Sequence, residues 1–319
     1  MRGEALRHDF GSGEVAAYRW INADGQEGGI VAASATIADS ARISGGARIG
    51  DGAIIGYRAA IGPDAIIGDE ATVGDGAIIG DRAVIGVYAC IGDHVRIGPG
   101  ARIGVGASIG QNARIGDRVV LGDGASIGDG AGIGAYARIG AYARIEAYAR
   151  IACRASIGAY AIIGEGASIG DGASIGVGAS ISHRASIDDR AVIGDEATIG
   201  AYACIRDGAR IGVYACIGEG AIIGAYAIIG PEAIIEAADW YISGGPCGSR
   251  KAVWTAVHSR ERGLRWWIGC QRGISTEALL ERVQAEHGDN EHAQAYRHAV
   301  QYVTTHPEYL RRIEQGAKE

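Results

Sequence analysis

From Ile37 to Ile235 an aliphatic residue recurs at every sixth position without a slip, through Ile43, Ile49, Val73 and Leu121 to Ile229, making 34 consecutive hexads. Two positions before each aliphatic stands a small residue, Ala almost throughout, with Val95 and Val119 as exceptions. Gly usually follows the aliphatic, as at Gly50, Gly56 and Gly62. This beat matches neither the helical period of about 3.6 nor the alternation of a long strand, so the chain has to turn at a fixed interval. Each hexad reads as one short strand plus one corner, with Ala and the aliphatic pointing inward and the residue between them outward. Three hexads per triangular coil stack Ile over Ile and Ala over Ala. At ~4.8 Å per coil, this predicts a parallel β-prism of roughly eleven coils, on the order of 50 Å long.

The outward residues fall into three columns, one per face, each repeating every 18 residues. Arg138, Arg144 and Arg150 occupy the three faces of a single turn, in the stretch AYARIGAYARIEAYARI. Near the end, Ile222, Ile228 and Ile234 make all three faces apolar together, a collar that predicts a covering domain or subunit. The corners stack as well, and Arg118, Tyr136, Arg154 and Arg190 share one edge. That corner position otherwise favours Gly, as at Gly52 and Gly76, or Asn112, as expected of a residue with positive φ.

This pattern resembles the hexapeptide-repeat family, the left-handed parallel β-helix of bacterial acyltransferases. The resemblance spans about two thirds of the chain, and it alone implies the left hand, because the usual crossover rule favours the right. It also implies a homotrimer and, if the activity is shared, an acyl-CoA lying along the rod with a His as general base. An activity does not follow from a repeat architecture itself.

Composition narrows the alternatives. The formal charge is −7, and no segment forms a basic clamp, which argues against nucleic acid as a partner. Six cysteines are scattered without metal or disulfide spacing, the simpler reading being a reducing cytoplasm. No stretch of 18 apolar residues and no apolar signal core is present, so neither membrane spanning nor secretion is expected.

The hexads offer two histidines, His94 and His183, as candidate general bases for acyl transfer. They lie 89 residues apart, about five coils on the same edge, too far to share a site within one chain. No loop interrupts the hexads to wall a substrate, and two isolated imidazoles do not make the three-His zinc site of a carbonic anhydrase. Thr36, Thr72 and Thr198 are too sparse for an ice-binding face.

Residues 1–30 read as an N-terminal cap, with a strand over Glu14–Ile21 and a turn at Asn22-Ala23-Asp24-Gly25. Residues 31–238 are the repeat region. After it the composition changes: four of the five Trp and five of the eight His lie in residues 239–319. Strands are expected over Trp240–Ser243, Ala252–His258 and Leu264–Cys270. Helices are expected over Thr276–Glu286, Glu291–Thr304 and from Pro307 to about Gln315, with Ser275 or Thr276 and Asp289-Asn290 as helix starts and Gly288 as a stop. The segment resembles a small domain found on bacterial and phage repeat proteins. In it Ser249-Arg250 offers an anion-holding turn, Asp289 and Asn290 a second polar turn, and Cys270 with His287 a nucleophile and base if they meet.

The expected fold class is mainly β, a left-handed parallel β-helix with a small C-terminal α+β domain. The leading functional expectation is a non-catalytic, trimeric scaffold or spacer presenting the aromatic-rich terminal domain to a protein partner, with no cofactor. The alternatives are an acyl-CoA-dependent acyltransferase with sites between subunits, and a module that sequesters a small anion at the Arg turn or in the terminal domain.

Overall fold

The computed structural model describes residues 2–11, 13–236, 239–247, 252–259, 262–268 and 271–316. The chain forms two compact units, Met1–Gly178 and Ala179–Glu319. The architecture is a parallel β-solenoid of about 11 turns, a left-handed hexapeptide β-helix, with a small C-terminal antiparallel sheet and helices.

The first unit opens with three strands, β1 (Arg2–Asp9), β2 (Glu14–Ile21) and β3 (Glu27–Ala32). β1 and β3 flank β2 antiparallel, and β3 then pairs in parallel with the strand Arg48–Ile49. The hexad register thus begins one step before Ile37, at Val31, which is fully buried. Glu14–Ile21 is the strand the sequence predicts, whereas β1 and β3 complete a meander that the sequence reading did not resolve. Its turn is closed by Gly25 donating to the Asn22 carbonyl at 2.9 Å.

The next 34 strands, β4 (Thr36–Ile37) to β37 (Ile234–Ile235), have two residues each, and within each unit strands 18 residues apart pair in parallel, as Thr36↔Ile54 and Ile54↔Thr72. Three sheets result, and every inward Ala and Ile from Ile43 to Ile175 is almost fully buried. Ala is required because three inward faces converge, while each Ile adds about 1.5–3 kcal/mol of transfer free energy on burial. Corners pack as closely as strands: a Cβ at Gly122 would lie 2.4 Å from the backbone nitrogen of Ala141 on the next coil.

Corner residues of every type share one conformation. Arg58, Tyr88, His94, Arg118, Tyr136 and Tyr142 all have φ between 54° and 60° or slightly above, up to 63°, the left-handed region that Gly52 and Gly76 also occupy. Cross-coil contacts hold these side chains. The Tyr142 and Tyr160 rings stack at 5.4 Å, and the Arg118 guanidinium lies 5.6 Å above the Tyr136 ring. A second ladder, absent from the sequence reading, runs through aspartates one position earlier. Asp75 Oδ1 accepts from Tyr57 N–H at 2.7 Å, and Asp93 Oδ1 accepts from Asp75 N–H at 2.8 Å.

The second unit continues the same hexads from Ser180–Ile181 to Ile234–Ile235 and then forms the four-stranded antiparallel sheet β38 (Trp240–Cys247), β39 (Ala252–Ser259), β40 (Gly263–Ile268) and β41 (Gln271–Ile274). Three helices follow, α1 (Thr276–His287), α2 (Glu291–Thr304) and α3 (Pro307–Gly316). Ser275 and Asn290 cap α1 and α2 by accepting from Ala278 and Ala293 N–H, and Gly288 ends α1 with φ 55°. Trp254, Ala256, Trp266 and Ile268 from one face of the sheet bury against Leu279, Val283, Ala293, Val300 and Val303.

Candidate functional site

Alternation along β38 to β40 gives the terminal sheet a second face, opposite the helices, and this face meets the last coil. Strand geometry puts Tyr241, Ser243, Thr255 and Trp267 on it. The last coil has no successor to accept its backbone N–H groups, and hydroxyls of the sheet take that role. Tyr241 Oη accepts from Gly224 at 2.7 Å, Ser243 Oγ from Ile228 at 3.4 Å and Thr255 Oγ1 from Gly230 at 2.9 Å. In the other direction, Trp267 Nε1 donates to the Glu232 carbonyl at 2.9 Å. Thr255 is fully buried, and its hydroxyl also donates to the Ile228 carbonyl at 3.5 Å, so without this oxygen the Gly230 N–H would be left unpaired. Burial raises the Tyr241 pKa, and the bond from Gly224 opposes that shift only in part.

The apolar collar is covered only in part: the sheet bonds the backbone of Ile228, but Ile222 and Ile228 stay 61% and 38% exposed, and Ile234 is half-buried. On the far side of the domain, α2 and α3 display Tyr302 and Leu310, exposed by 56% and 45%. Tyr302 is in edge contact with Trp254 and His306.

The residues singled out in the sequence are dispersed. Arg138, Arg144 and Arg150 belong to three different sheets and point outward from each, so the turn that unites them in sequence separates them in space. Arg144 lies 4.0 Å from Glu146. His94 is an exposed corner residue whose ring covers Gly76: a Cβ there would come 2.5 Å from its Nδ1. His183, in the second unit, is exposed and meets the Tyr202 ring edge-on at 4.9 Å. His287 stacks on Tyr296 at 5.9 Å and borders His292. Asp289 pairs with Arg297 at 2.8 Å, and the Asn290 side chain caps α2. Cys270, Ser249 and Arg250 lie outside the described residues. Among those residues no group of three potential metal ligands converges, and no helix is long and apolar enough to cross a membrane.

The family model described as bacterial transferase hexapeptide, six repeats, matches residues 106–141. No curated protein matches the chain. Among solved structures, the UDP-N-acetylglucosamine acyltransferase of Arabidopsis is 13% identical over 86% of this chain and 97% of its own, with a TM-score of 0.37. The Bacteroides fragilis enzyme is 19% identical over 86% and 96%, with a TM-score of 0.32. That of Campylobacter jejuni is 17% identical over the same shares, with a TM-score of 0.27. At these scores the likeness carries no argument about activity.

Proposed function

We propose that this hexapeptide-repeat protein is a non-catalytic, homotrimeric scaffold that presents its C-terminal α+β domain to a protein partner. The observation that supports the reading is the attachment of the terminal sheet to the last coil through Tyr241, Ser243, Thr255 and Trp267. A sheet held by backbone-directed bonds on one face and by helices on the other is a fixed mount. Its free surface carries Tyr302 and Leu310, the exposed aromatic and aliphatic character of protein-binding patches. The trimer rests on the family resemblance and is tested by sedimentation equilibrium of the full chain.

Acyl transfer at subunit boundaries is the second reading, favoured by the transferase repeat model that matches residues 106–141. In that case acyl-CoA is the donor, and His94 or His183 takes the acceptor proton as the thioester is attacked. Thiol release from acetyl-CoA, with sugar and amine acceptors, separates the two. The scaffold reading expects release at the blank rate for the wild type, His94→Ala and His183→Ala alike. Release that collapses in either variant would replace it with the enzyme.

A further inference from the structure

β1 is the outermost strand of its sheet: β2 pairs with one of its edges, and among the described residues no strand pairs with the other. Arg2 to Ala5, Arg7 and Asp9 are exposed along it. The ladder fixes which backbone groups face out. The Ala16 carbonyl accepts from Ala33 N–H at 2.8 Å, so Ala16 bonds toward β3. Its neighbours Val15 and Ala17 then bond toward β1, where they oppose His8 and Leu6. Alternation turns the N–H and C=O groups of Ala5, Arg7 and Asp9 to the open side. An exposed edge of eight residues is a template for another strand.

The charges on β1 decide which strand fits. Arg2, Ala5, Arg7 and Asp9 oppose Trp20, Tyr18, Ala16 and Glu14, alternate residues of β2, so all of them lie on one face. The register shift between Arg2 and Ala5 is what brings Arg2 onto it. A second copy of β1, antiparallel about a two-fold axis, must set same-face residues opposite each other, so the axis passes through a residue. An axis at Ala5 sets Arg7 against Arg2, and an axis at Arg7 sets it against itself, both unfavourable like-charge pairs. An axis at His8 runs past Asp9, the last residue of β1, and leaves Arg2 to Glu4 unmatched. With the axis at Leu6 the whole strand is matched. Ala5 and Arg7 exchange N–H···O=C bonds, Leu6 meets Leu6, and Arg2 meets Asp9 on each side of the axis.

These groups are in place for it. Arg2 donates to the Ala33 carbonyl at 3.3 Å, lies 4.9 Å above the Tyr18 ring and has no carboxylate partner among the described residues. Asp9 is fixed by accepting from Gly11 and Gly13 N–H at 2.7 and 3.0 Å. Arg7, which meets its own copy only on the diagonal, already has a counter-charge in Glu14 at 3.5 Å. Charged residues ordinarily keep edge strands apart. Here they repel the competing registers and favour one, which is how charge patterns give specificity.

We propose that β1 is an association strand through which two copies of this chain pair at their N-terminal ends, antiparallel about a two-fold axis at Leu6, with Arg2 of each copy against Asp9 of the other. The pairing is independent of the scaffold reading and of its trimer. It doubles whatever number of copies the rest of the chain assembles, giving two from a single chain and six from a trimer.

Sedimentation equilibrium of the full chain at low salt, over a range of concentrations, tests it. Ala5→Pro removes an N–H from the open edge and none from the β2 ladder, a place where an edge strand tolerates Pro, and is expected to halve the limiting mass. Arg2→Glu sets carboxylates against each other on both sides of the axis and is expected to weaken association about tenfold. Added salt is expected to weaken the wild type in the same direction. A second readout does not depend on the Pro variant folding. Across the axis Leu6 forms a non-hydrogen-bonded pair with Cα atoms about 4.5 Å apart, within the span of a disulfide. Leu6→Cys is therefore expected to give a covalent dimer on oxidation, beyond any formed by the wild type. His8→Cys, about 13 Å from its copy along the strands, is expected to give none. A wild-type mass equal to that of Ala5→Pro overturns the proposal, whether that mass is one chain or three. So does cross-linking of His8→Cys equal to that of Leu6→Cys.

Discussion

Asn22 stands in for a missing coil beneath Ile43. Its Nδ2 donates to the Ile43 carbonyl at 2.9 Å, and its Oδ1 accepts from the Ile43 N–H at 2.9 Å. In the coils that follow, the corresponding carbonyls, such as that of Ile61, receive an N–H from the preceding coil. The first coil has none, and a side-chain amide completes it. Asn22→Leu removes both bonds and leaves two buried backbone groups unpaired, at about 1–3 kcal/mol each. Urea denaturation is expected to show a lower midpoint at unchanged slope, equivalent to a loss of unfolding free energy of that order. Hydrogen exchange is expected to speed up at Ile43 and in β2 while the middle coils keep their protection.

The opposite end obeys the same rule through hydroxyls. Thr255→Val keeps the shape of the buried side chain but removes the acceptor for Gly230 N–H, so a loss of about 1–3 kcal/mol is expected. Thr255→Ser retains the oxygen and is expected to recover most of it. Thermal melts followed by Trp fluorescence report the change, because Trp267 lies on the same face of the sheet and bonds the same coil. Equal stability of the Val and Ser variants would contradict the capping role.

These two ends mark where the sequence stopped being legible. The hexads declare the solenoid because their information is local: one residue inward, one outward, one corner, repeated. The starts of α1 and α2 were readable for the same reason, since Ser275 and Asn290 bond N–H groups three residues away. Asn22 bonds Ile43, 21 residues on, and nothing in Asn22-Ala23-Asp24-Gly25 distinguishes a turn residue from a coil surrogate. β41 was missed because Gln-Arg-Gly-Ile has no alternation to betray a strand, only the pairings Trp266↔Ile274 and Ile268↔Gln271. The Arg turn was visible in the sequence, but adjacency along the chain means divergence on a three-sided coil. The arginines that do share a face, Arg96, Arg114 and Arg150, are spread over 55 residues.

At the corners, conformation and contact can be separated experimentally. Gly124 has φ 64°, and a Cβ there would lie 2.6 Å from the Tyr142 ring. Gly124→Ala should therefore carry two costs, about 1–2 kcal/mol for a left-handed L-residue and a further one for displacing a ring stacked on Tyr160. In a Tyr142→Ala background only the first cost remains. A double-mutant cycle in urea is expected to show coupling of about 0.5–1.5 kcal/mol, the range for an aromatic contact. Strict additivity would mean that the ring does not rest on the glycine.

Alkaline pH should loosen the terminal sheet. Burial holds the Tyr241 phenol above its ordinary value of 10.0, because the charged form is poorly solvated where it meets the last coil. A folded-state pKa raised above the unfolded one stabilises the native state fully below the unfolded pKa, and that contribution disappears as pH rises through the folded pKa. Stability is therefore expected to be flat in this respect near neutrality and to fall from about pH 10 upward. Tyr18, whose pKa burial also raises, imposes the same trend on the first unit. The two are separable. Tyr241→Phe removes the titrating group together with the acceptor for Gly224 N–H, so it should lower stability at pH 7 yet flatten the alkaline slope for β38 to β41. Hydrogen exchange at pH 7 and pulsed proteolysis across the alkaline range read both effects. An alkaline slope in the terminal sheet that survives Tyr241→Phe would assign the sensitivity to another group.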